Sequence, residues 1–146
     1  MYCQNLCLLG KLFLDNKTLF FDVETFQFFV ITEGGFIVGY FSREMNMSED
    51  HNLACIMVLP PFQRRGFGKF LISLSYYLSG KIEDKVCTPE RPLSKMGALS
   101  YQSYWKDAIF KALSSHQPFL KSDFDVSVRE LSEHTNIQIE DIIMTL

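Results

Sequence analysis

The loop from Gln63 to Lys69, which reads Q-R-R-G-F-G-K, has the clearest chemical potential in the sequence. Its two glycines lack a Cβ atom, so successive backbone N–H groups can converge on an anion. Three side-chain cations share the loop, and this charge suits a pyrophosphate better than a single carboxylate. We therefore predict a site for a phosphorylated cofactor, with a tight turn bearing solvated arginines as the alternative. The residues concerned are Gln63, Arg64, Arg65, Gly66, Phe67, Gly68 and Lys69.

The loop lies between an apolar run and a segment of helical periodicity. Residues Ala54 to Leu59 are apolar and end at two prolines, and apolar residues recur at helical spacing from Phe70 to Leu78. The order is strand, loop and helix, and the helix N-terminus adds partial positive charge to the loop. The loop matches neither a Walker loop nor a dinucleotide-binding fingerprint, because both need other glycine spacings.

The residues before the loop predict one helix and a hairpin. Apolar spacing from Tyr2 to Phe13 predicts a mostly buried helix. Aromatic and β-branched runs at Phe26 to Thr32 and Phe36 to Ser42 flank Glu33-Gly34-Gly35, which predicts a β-hairpin. We expect the third strand at Leu53 to Leu59, after an exposed polar loop at Met45 to Asn52.

The residues after the loop predict a connector, an extended segment and a long helix. Gly80 to Lys85 is expected to be a charged connector, and Val86 to Pro89 a short extended segment. Aromatic and apolar residues at helical spacing from Ser100 to Leu113 predict a helix, followed by a loop at Ser114 to Asp125.

The tail has the outline of a helix-turn-helix. Ser127 and Glu130 form a capping box that begins a short helix to Thr135, and a second helix is expected from Ile139 to Leu146 after a turn at Asn136. Such an outline fits either a DNA-binding module or a packing element of the same domain. We favour packing and expect no direct DNA binding, because the segment is acidic where phosphate contacts require Lys or Arg.

Length and composition indicate a single intracellular domain, and strands followed by helices around the loop indicate a mixed α/β sheet. The chain has 146 residues, 47% of them hydrophobic, and a net charge of -3, which argues against a polyanion binder driven by bulk charge. No apolar run reaches the length of a membrane span and no signal peptide opens the chain, so we expect no membrane contact. The four cysteines are expected to be thiols, and the spacing of Cys3 and Cys7 does not predict a metal site.

Several separate stretches resemble the MYST family of histone acetyltransferases, within the N-acetyltransferase superfamily. They read Y-C-Q-N-L-C-L-L-G-K-L-F-L-D-N-K-T-L from Tyr2, V-G-Y-F-S-R-E from Val38, and C-I-M-V-L-P-P-F-Q-R-R-G-F-G-K-F-L-I from Cys55. Two more read P-E-R-P-L-S from Pro89 and S-Y-Q-S-Y-W from Ser100. The resemblance implies an N-acetyltransferase fold, a mixed curved sheet flanked by helices, with acetyl-coenzyme A bound at the loop.

The same resemblance implies a protein lysine acetyltransferase with Glu90 and Cys55 at its active site. Lysine, with a pKa near 10.4, is protonated at neutral pH and needs a general base, and Glu90 matches the family's catalytic glutamate. Partial desolvation would raise the pKa of Glu90, whereas the alternative is a solvated glutamate paired with Arg91. Cys55 matches the family's active-site cysteine. It could carry the acetyl group or line the site while lysine attacks directly, and we favour direct attack.

The resemblance also implies contacts to the cofactor and a modification site. Backbone groups of the strand before the loop should meet the thioester and pantetheine arm; these residues are Ile56, Met57 and Val58. Val58 replaces the family's usual threonine. Ser94 and Ser103 match cofactor-contacting serines, although a helix N-cap explains Ser94 equally well. Lys17, in D-N-K-T where the family usually has D-H-K-T, matches a lysine that family members acetylate on themselves.

The expected setting is the nucleus, with histone tails or other lysine-bearing proteins as substrates and the subunits of a chromatin complex as partners. We expect residues 1–146 to form one acetyltransferase domain that lacks the family's zinc finger and extreme C-terminus, and residues 126–146 to form its helix-turn-helix-like part. The competing hypothesis is a non-catalytic module of a chromatin complex that binds acetyl-coenzyme A or acts as a scaffold.

Overall fold

A computed structural model describes residues 1–14, 23–45, 50–115 and 126–146. The mixed α/β fold expected from the sequence is confirmed: a small antiparallel sheet is flanked by helices, as in N-acetyltransferase-like folds. The strands are β1 (Phe26–Glu33), β2 (Phe36–Glu44), β3 (His51–Leu53), β4 (Cys55–Val58) and β5 (Thr88–Pro89). The helices are α1 (Tyr2–Lys11), α2 (Phe67–Tyr77), α3 (Lys95–Ser115), α4 (Val128–Thr135) and α5 (Ile139–Thr145).

The hairpin predicted around Glu33-Gly34-Gly35 is confirmed. Strands β1 and β2 pair antiparallel, from Phe26 opposite Glu44 to Glu33 opposite Phe36. Both glycines have positive φ values, 58° at Gly34 and 85° at Gly35, a backbone region that glycine enters without a Cβ clash. Strand β2 pairs on its other side with β4, so the sheet order is β1, β2, β4.

The third strand predicted at Leu53 to Leu59 is wrong in its extent, because the extended chain divides at Ala54. Strand β3 before it pairs in parallel with β5, whereas β4 after it pairs with β2. The Ala54 N–H donates to the Ser42 carbonyl at 2.8 Å, so the chain stays beside β2 across the break. The apolar run predicted an extended segment correctly, but the strand that it pairs with changes at Ala54. Strand β3 also begins earlier than expected, within the predicted Met45 to Asn52 loop.

The helix boundaries differ from the expectations at several ends. Helix α1 stops at Lys11, and the prediction that it is mostly buried is wrong: only Leu6, Cys7 and Gly10 are buried. A five-residue π-helical segment, Leu78–Ile82, continues α2 into the expected Gly80 to Lys85 connector. Helix α3 is longer at both ends than the predicted Ser100 to Leu113.

The largest apolar cluster joins α2 and α3 to the C-terminal helices. Its buried members are Ile72, Tyr76, Tyr101, Trp105, Ile109, Ala112, Leu131, Ile137 and Ile142. The Trp105 indole N–H donates to the Tyr76 hydroxyl at 2.8 Å, which satisfies both groups inside the cluster. The predicted capping box of Ser127 and Glu130 is confirmed at the start of α4. Helices α4 and α5 therefore pack as part of the same core.

Three expectations lie wholly or partly outside the described residues. They are Lys17 with the turn around it, the middle of the loop predicted at Met45 to Asn52, and most of the loop predicted at Ser114 to Asp125.

Candidate active site

The two candidate catalytic residues follow a fork between strands. The Glu90 N–H, immediately after β5, donates to the Leu53 carbonyl at the end of β3 at 2.8 Å. Beyond this bond the two strand segments separate, and β4 begins at Cys55, two residues after Leu53. Strand pairing thus brings the Glu90 and Cys55 backbones to the same end of the β3–β5 pair, although the residues are far apart in sequence.

Strand β4 has one edge without a strand partner among the described residues. The Leu59 N–H donates to the Val38 carbonyl at 2.9 Å, and antiparallel alternation therefore turns the amide of Met57 towards β2 and those of Ile56 and Val58 towards the other edge. Of the three residues whose backbone groups are expected to meet the cofactor, Ile56 and Val58 therefore have amides on the open edge, and the amide of Met57 faces β2. The Gln63 side-chain N–H donates to the Val58 carbonyl at 3.0 Å, so Gln63 helps to hold this edge.

The basic loop leads into α2, and the first backbone N–H groups of this helix have no hydrogen-bond partner within it. Gly66 caps the helix with a φ of 88°, and the first helical bond runs from the Phe70 N–H to the Gly66 carbonyl at 3.0 Å. The preceding N–H groups, those of Phe67, Gly68 and Lys69, have no intrahelical partner, and no side chain caps them. Arg64 also has a positive φ, 60°, which is uncommon for a residue with a Cβ. This arrangement fits an anion at the helix N-terminus.

Two of the three loop cations are engaged by carboxylates from other elements. The Arg65 guanidinium binds both carboxylate oxygens of Glu33, at 2.8 and 3.1 Å, and lies over the Phe67 ring at 5.1 Å. Lys69 pairs with Asp107 of α3. All four side chains of these pairs are 44–52% exposed, so water screens both pairs. Arg64 forms no ion pair within the described part of the chain.

Cys55 contacts a buried tyrosine that sequence reasoning missed. Its Sγ lies 3.8 Å from the hydroxyl of Tyr40, which donates to the Leu6 carbonyl of α1 at 2.9 Å. Burial first, and then the proximity of Cys55, raise the pKa of Tyr40 well above its usual range. Tyr40 is therefore a neutral phenol at physiological pH, and it joins α1 to the candidate site. The sequence shows that Tyr40 is an aromatic residue within a predicted strand, but it does not show that Cys55 lies beside it.

Glu90 itself is exposed, so the partial desolvation expected from the sequence is not present in this structure. The alternative ion pair between Glu90 and Arg91 is not formed either. Arg91 instead pairs with Asp141 of α5, which also accepts a hydrogen bond from the Thr88 hydroxyl at 2.7 Å. Sequence reasoning missed Asp141, because nothing near it in the chain points to β5.

The two candidate serines lie on or before α3. The Ser94 hydroxyl accepts from the Gly97 N–H at 3.0 Å, so Ser94 has the N-cap role that the sequence left open. Ser103 is exposed one turn before Asp107, which pairs with Lys69 in the first turn of α2. Ser103 therefore lies on the face of α3 that meets the beginning of α2.

Other kinds of site receive no support from the described residues. Within them, no group of three or more His, Cys, Asp or Glu side chains is arranged to hold a metal ion. All four cysteines are free thiols. None of the helices described is long and apolar enough to cross a membrane.

Comparison with known proteins places the whole chain in one family. The MOZ/SAS family model matches residues 1–146. The chain is 52% identical over 149 residues to the Histone acetyltransferase Tip60 homolog of Caenorhabditis elegans, covering 99% of this chain and 32% of the relative.

Two plant proteins are similar to the same degree. The chain is 51% identical over 150 residues to the Putative MYST-like histone acetyltransferase 1 of Oryza sativa subsp. japonica and, equally, to the Histone acetyltransferase of the MYST family 1 of Arabidopsis thaliana. Each match covers 100% of this chain and 32% of the relative, so the chain spans about a third of the length of these curated relatives.

Proposed function

The chain belongs to the MOZ/SAS family, and from this premise we propose that it is a protein lysine acetyltransferase that uses acetyl-coenzyme A to acetylate histone tails. The observation that carries the proposal is the fork after β3 and β5, where the backbones of Glu90 and Cys55 lie at the same end of the β3–β5 pair and strand β4 leads into a basic, glycine-spaced loop. A general base, an open edge and an anion cradle are the parts that acetyl transfer from a phosphorylated thioester donor requires.

The residues of the β4 edge and of the basic loop suit acetyl-coenzyme A. The unpaired amides of Phe67, Gly68 and Lys69 suit its pyrophosphate, and Gly68 leaves room because a Cβ there would have only Val58 Cγ2 within 4 Å, at 3.9 Å. Ile56 and Val58 offer edge amides to the pantetheine arm. When bound, acetyl-coenzyme A supplies an acyl thioester that accepts the amine of the substrate lysine.

The charged residues of the loop differ in what they offer the pyrophosphate. Arg64 carries a positive charge without an ion-pair partner in the described residues, so it is the first candidate for a phosphate contact. Arg65 and Lys69 already have carboxylate partners and would share or exchange them on binding. Ser94 and Ser103 contribute from α3, and Gln63 and Phe67 support the loop through the Val58 carbonyl and the Arg65 guanidinium.

Glu90 is the proposed general base. A lysine ammonium, with a pKa near 10.4, must lose a proton before its nitrogen can act as a nucleophile. The exposed carboxylate of Glu90 is open to an incoming lysine. Glu90 takes one proton from the ammonium and returns it to solvent. When the nitrogen bonds to the acetyl carbon, the C–S bond of the thioester would break, and the coenzyme A sulfur would leave with the second proton that the nitrogen gives up.

Cys55 is proposed to line the site while lysine attacks directly. Its thiol packs with Tyr40 and Met57 on one face of β4, and its polar contact with the Tyr40 hydroxyl is weak, at 3.8 Å. An obligatory acetyl-cysteine is the alternative. Replacing Cys55 by alanine separates the two, because direct attack predicts a modest loss of turnover and a covalent route predicts complete loss.

The proposed setting follows from the same premise. Histone tails or other lysine-bearing proteins are the substrates, subunits of a chromatin complex are the partners, and the nucleus is the location. Residues 1–146 form the acetyltransferase domain, with 126–146 as its helix-turn-helix-like part. Lys17 is the proposed site of self-acetylation.

The test is acetyl transfer by the full chain to a histone-tail peptide, with a matched peptide in which every lysine is replaced by arginine as the control. Binding of acetyl-coenzyme A is measured in parallel by calorimetry. Transfer that requires the peptide lysines supports the enzyme. Binding without transfer to any lysine peptide would favour the competing hypothesis of a cofactor-binding scaffold module.

A further inference from the structure

The Asp141 carboxylate of the C-terminal helix α5 contacts residues that lie before and after Glu90 in the chain. Asp141 accepts from the Thr88 hydroxyl at 2.7 Å and forms an ion pair with Arg91. Thr88 lies two residues before Glu90, and Arg91 follows it directly. These partners are 53 and 50 residues from Asp141 in the chain, so the contacts are tertiary.

Asp141 is placed to hold this segment firmly. Its side chain is 1% exposed, whereas that of Arg91 is 45% exposed, so the buried partner is the carboxylate. A buried carboxylate depends on its hydrogen bonds, because losing one leaves an unpaired charge in the interior. Movement of Thr88 or Arg91 away from Asp141 is therefore costly, and the backbone between them is restrained.

Asp141 also interacts electrostatically with tyrosines of α2 and α3. Burial first, and then the Asp141 charge, raise the pKa of Tyr101 above its usual range, and the same charge contributes to the raised pKa of Tyr76. The Tyr101 hydroxyl is buried and has no hydrogen-bond partner among the described residues. Among the described residues, Asp141 thus interacts with the phenols of Tyr76 and Tyr101 and with the guanidinium of Arg91, which is its charge partner.

We propose that Asp141 is a positioning residue for Glu90, which makes the C-terminal helix pair part of the active site. It fixes Thr88 and Arg91 and thereby sets the direction in which the Glu90 carboxylate leaves the fork. The Glu90 N–H bond to the Leu53 carbonyl, 2.8 Å long, restrains the same segment from the sheet side. The inference rests on the proposed function for its catalytic consequence, but the clamp itself can be measured without activity.

The first measurement is amide hydrogen exchange on the full chain without substrate. Asp141→Asn keeps the shape and removes the charge, and we expect the Glu90 amide to exchange about tenfold faster while the amides of β4 stay unchanged. Glu140→Gln, on the exposed neighbour in α5, is the matched control and should change neither. An unchanged Glu90 amide in both Asp141→Asn and Arg91→Gln would overturn the clamp.

The second measurement is turnover in two backgrounds. Asp141→Asn should lower kcat by roughly ten- to a hundredfold, because misplacement of a catalytic group by about 1 Å costs that much, while binding of acetyl-coenzyme A is unchanged. In the Glu90→Gln background the same substitution should have no further effect, which a purely structural role would not produce. Arg91→Gln, at a more exposed side chain, should reproduce the pattern if Asp141→Asn folds poorly.

The outcomes distinguish the positioning role of Asp141 from the proposed acetyltransferase function. Equal losses from Asp141→Asn in the wild-type and Glu90→Gln backgrounds, or a loss of cofactor binding, would overturn the positioning role while leaving the acetyltransferase intact. A wild type that transfers no acetyl group would refute the proposed function, even if the exchange result supported the clamp.

Discussion

At the scale of single residues, Gly68 provides the sharpest test of the loop. A Cβ there would meet only Val58 Cγ2, at 3.9 Å, so the fold tolerates a side chain, whereas the proposed pyrophosphate site would not. We expect Gly68→Glu to weaken binding of acetyl-coenzyme A by on the order of a hundredfold or more, because the side chain adds bulk and a negative charge beside a pyrophosphate. Calorimetry measures this directly.

Gly68→Gln is the matched control for charge. It adds similar bulk without the charge, so it should weaken binding less than Gly68→Glu and leave the melting temperature unchanged. Wild-type affinity in Gly68→Glu would mean that the loop is only a turn.

At this scale, the sequence did not predict which residues form ion pairs with the loop cations. Residue types and spacing predicted the loop and its cations, since both are local. They did not predict that Glu33 binds Arg65, or that Asp107 binds Lys69, because those partners are 32 and 38 residues away in the chain. Such contacts depend on how helices and strands pack, and no local pattern carries that information.

At the scale of elements, the capping box of α4 provides a pH test. The Glu130 carboxylate accepts from the Ser127 N–H and the Ser127 hydroxyl, both at 2.8 Å, and these bonds lower its pKa. A lowered pKa in the folded state stabilises the protein above the ordinary glutamate pKa of about 4.3, and this contribution disappears as the pH falls through the lowered value.

We therefore expect wild type to be more stable than Glu130→Gln at pH 7, with the difference shrinking as the pH falls below the ordinary glutamate pKa. Urea unfolding across this range measures the free energy of unfolding. Glu133→Gln removes a carboxylate of the same helix outside the cap and is the control. A difference between wild type and Glu130→Gln that is independent of pH would contradict the cap as its cause.

Helices and strands were predicted correctly where a local sequence pattern determines the backbone conformation. The predictions failed where the structure depends on which strands pair with each other. The aromatic runs around Gly34 and Gly35 predicted β1 and β2, because turn chemistry and alternation both act locally. The apolar run through Ala54 predicted extended backbone but not its division between β2 and β5. This division creates the fork beside Glu90, so the feature that matters most for the site was the one that local patterns could not supply.

At the scale of the whole molecule, the C-terminal helices belong to the main core. Ile142 is fully buried against the α2–α3 cluster, whereas Ile143, the next residue in α5, is 61% exposed. We expect Ile142→Ala to lower the free energy of unfolding by about 2–5 kcal/mol, and Ile143→Ala to change it by less than about 0.5 kcal/mol. Denaturant unfolding of the two variants decides this.

Equal effects of Ile142→Ala and Ile143→Ala would contradict the packing of α5. The same packing bears on the alternative of a DNA-binding tail, because four acidic residues and one arginine follow Ser127. A salt-dependent affinity of the chain for duplex DNA, lost on changing Arg129, would revive that alternative.

The central claim is that Glu90, held at the fork, removes the proton from the substrate lysine. The most direct measurement is kcat for acetyl transfer to a histone-tail peptide from pH 6 to 10, by wild type and by Glu90→Gln, with cofactor binding checked in both. Glu90→Gln keeps the shape but cannot accept the proton, so we predict a loss on the order of a hundredfold near neutral pH. The loss should shrink at high pH, as the unprotonated lysine becomes commoner. A Glu90→Gln variant as active as wild type at pH 7, or a defect of constant size up to pH 10, would contradict the assignment.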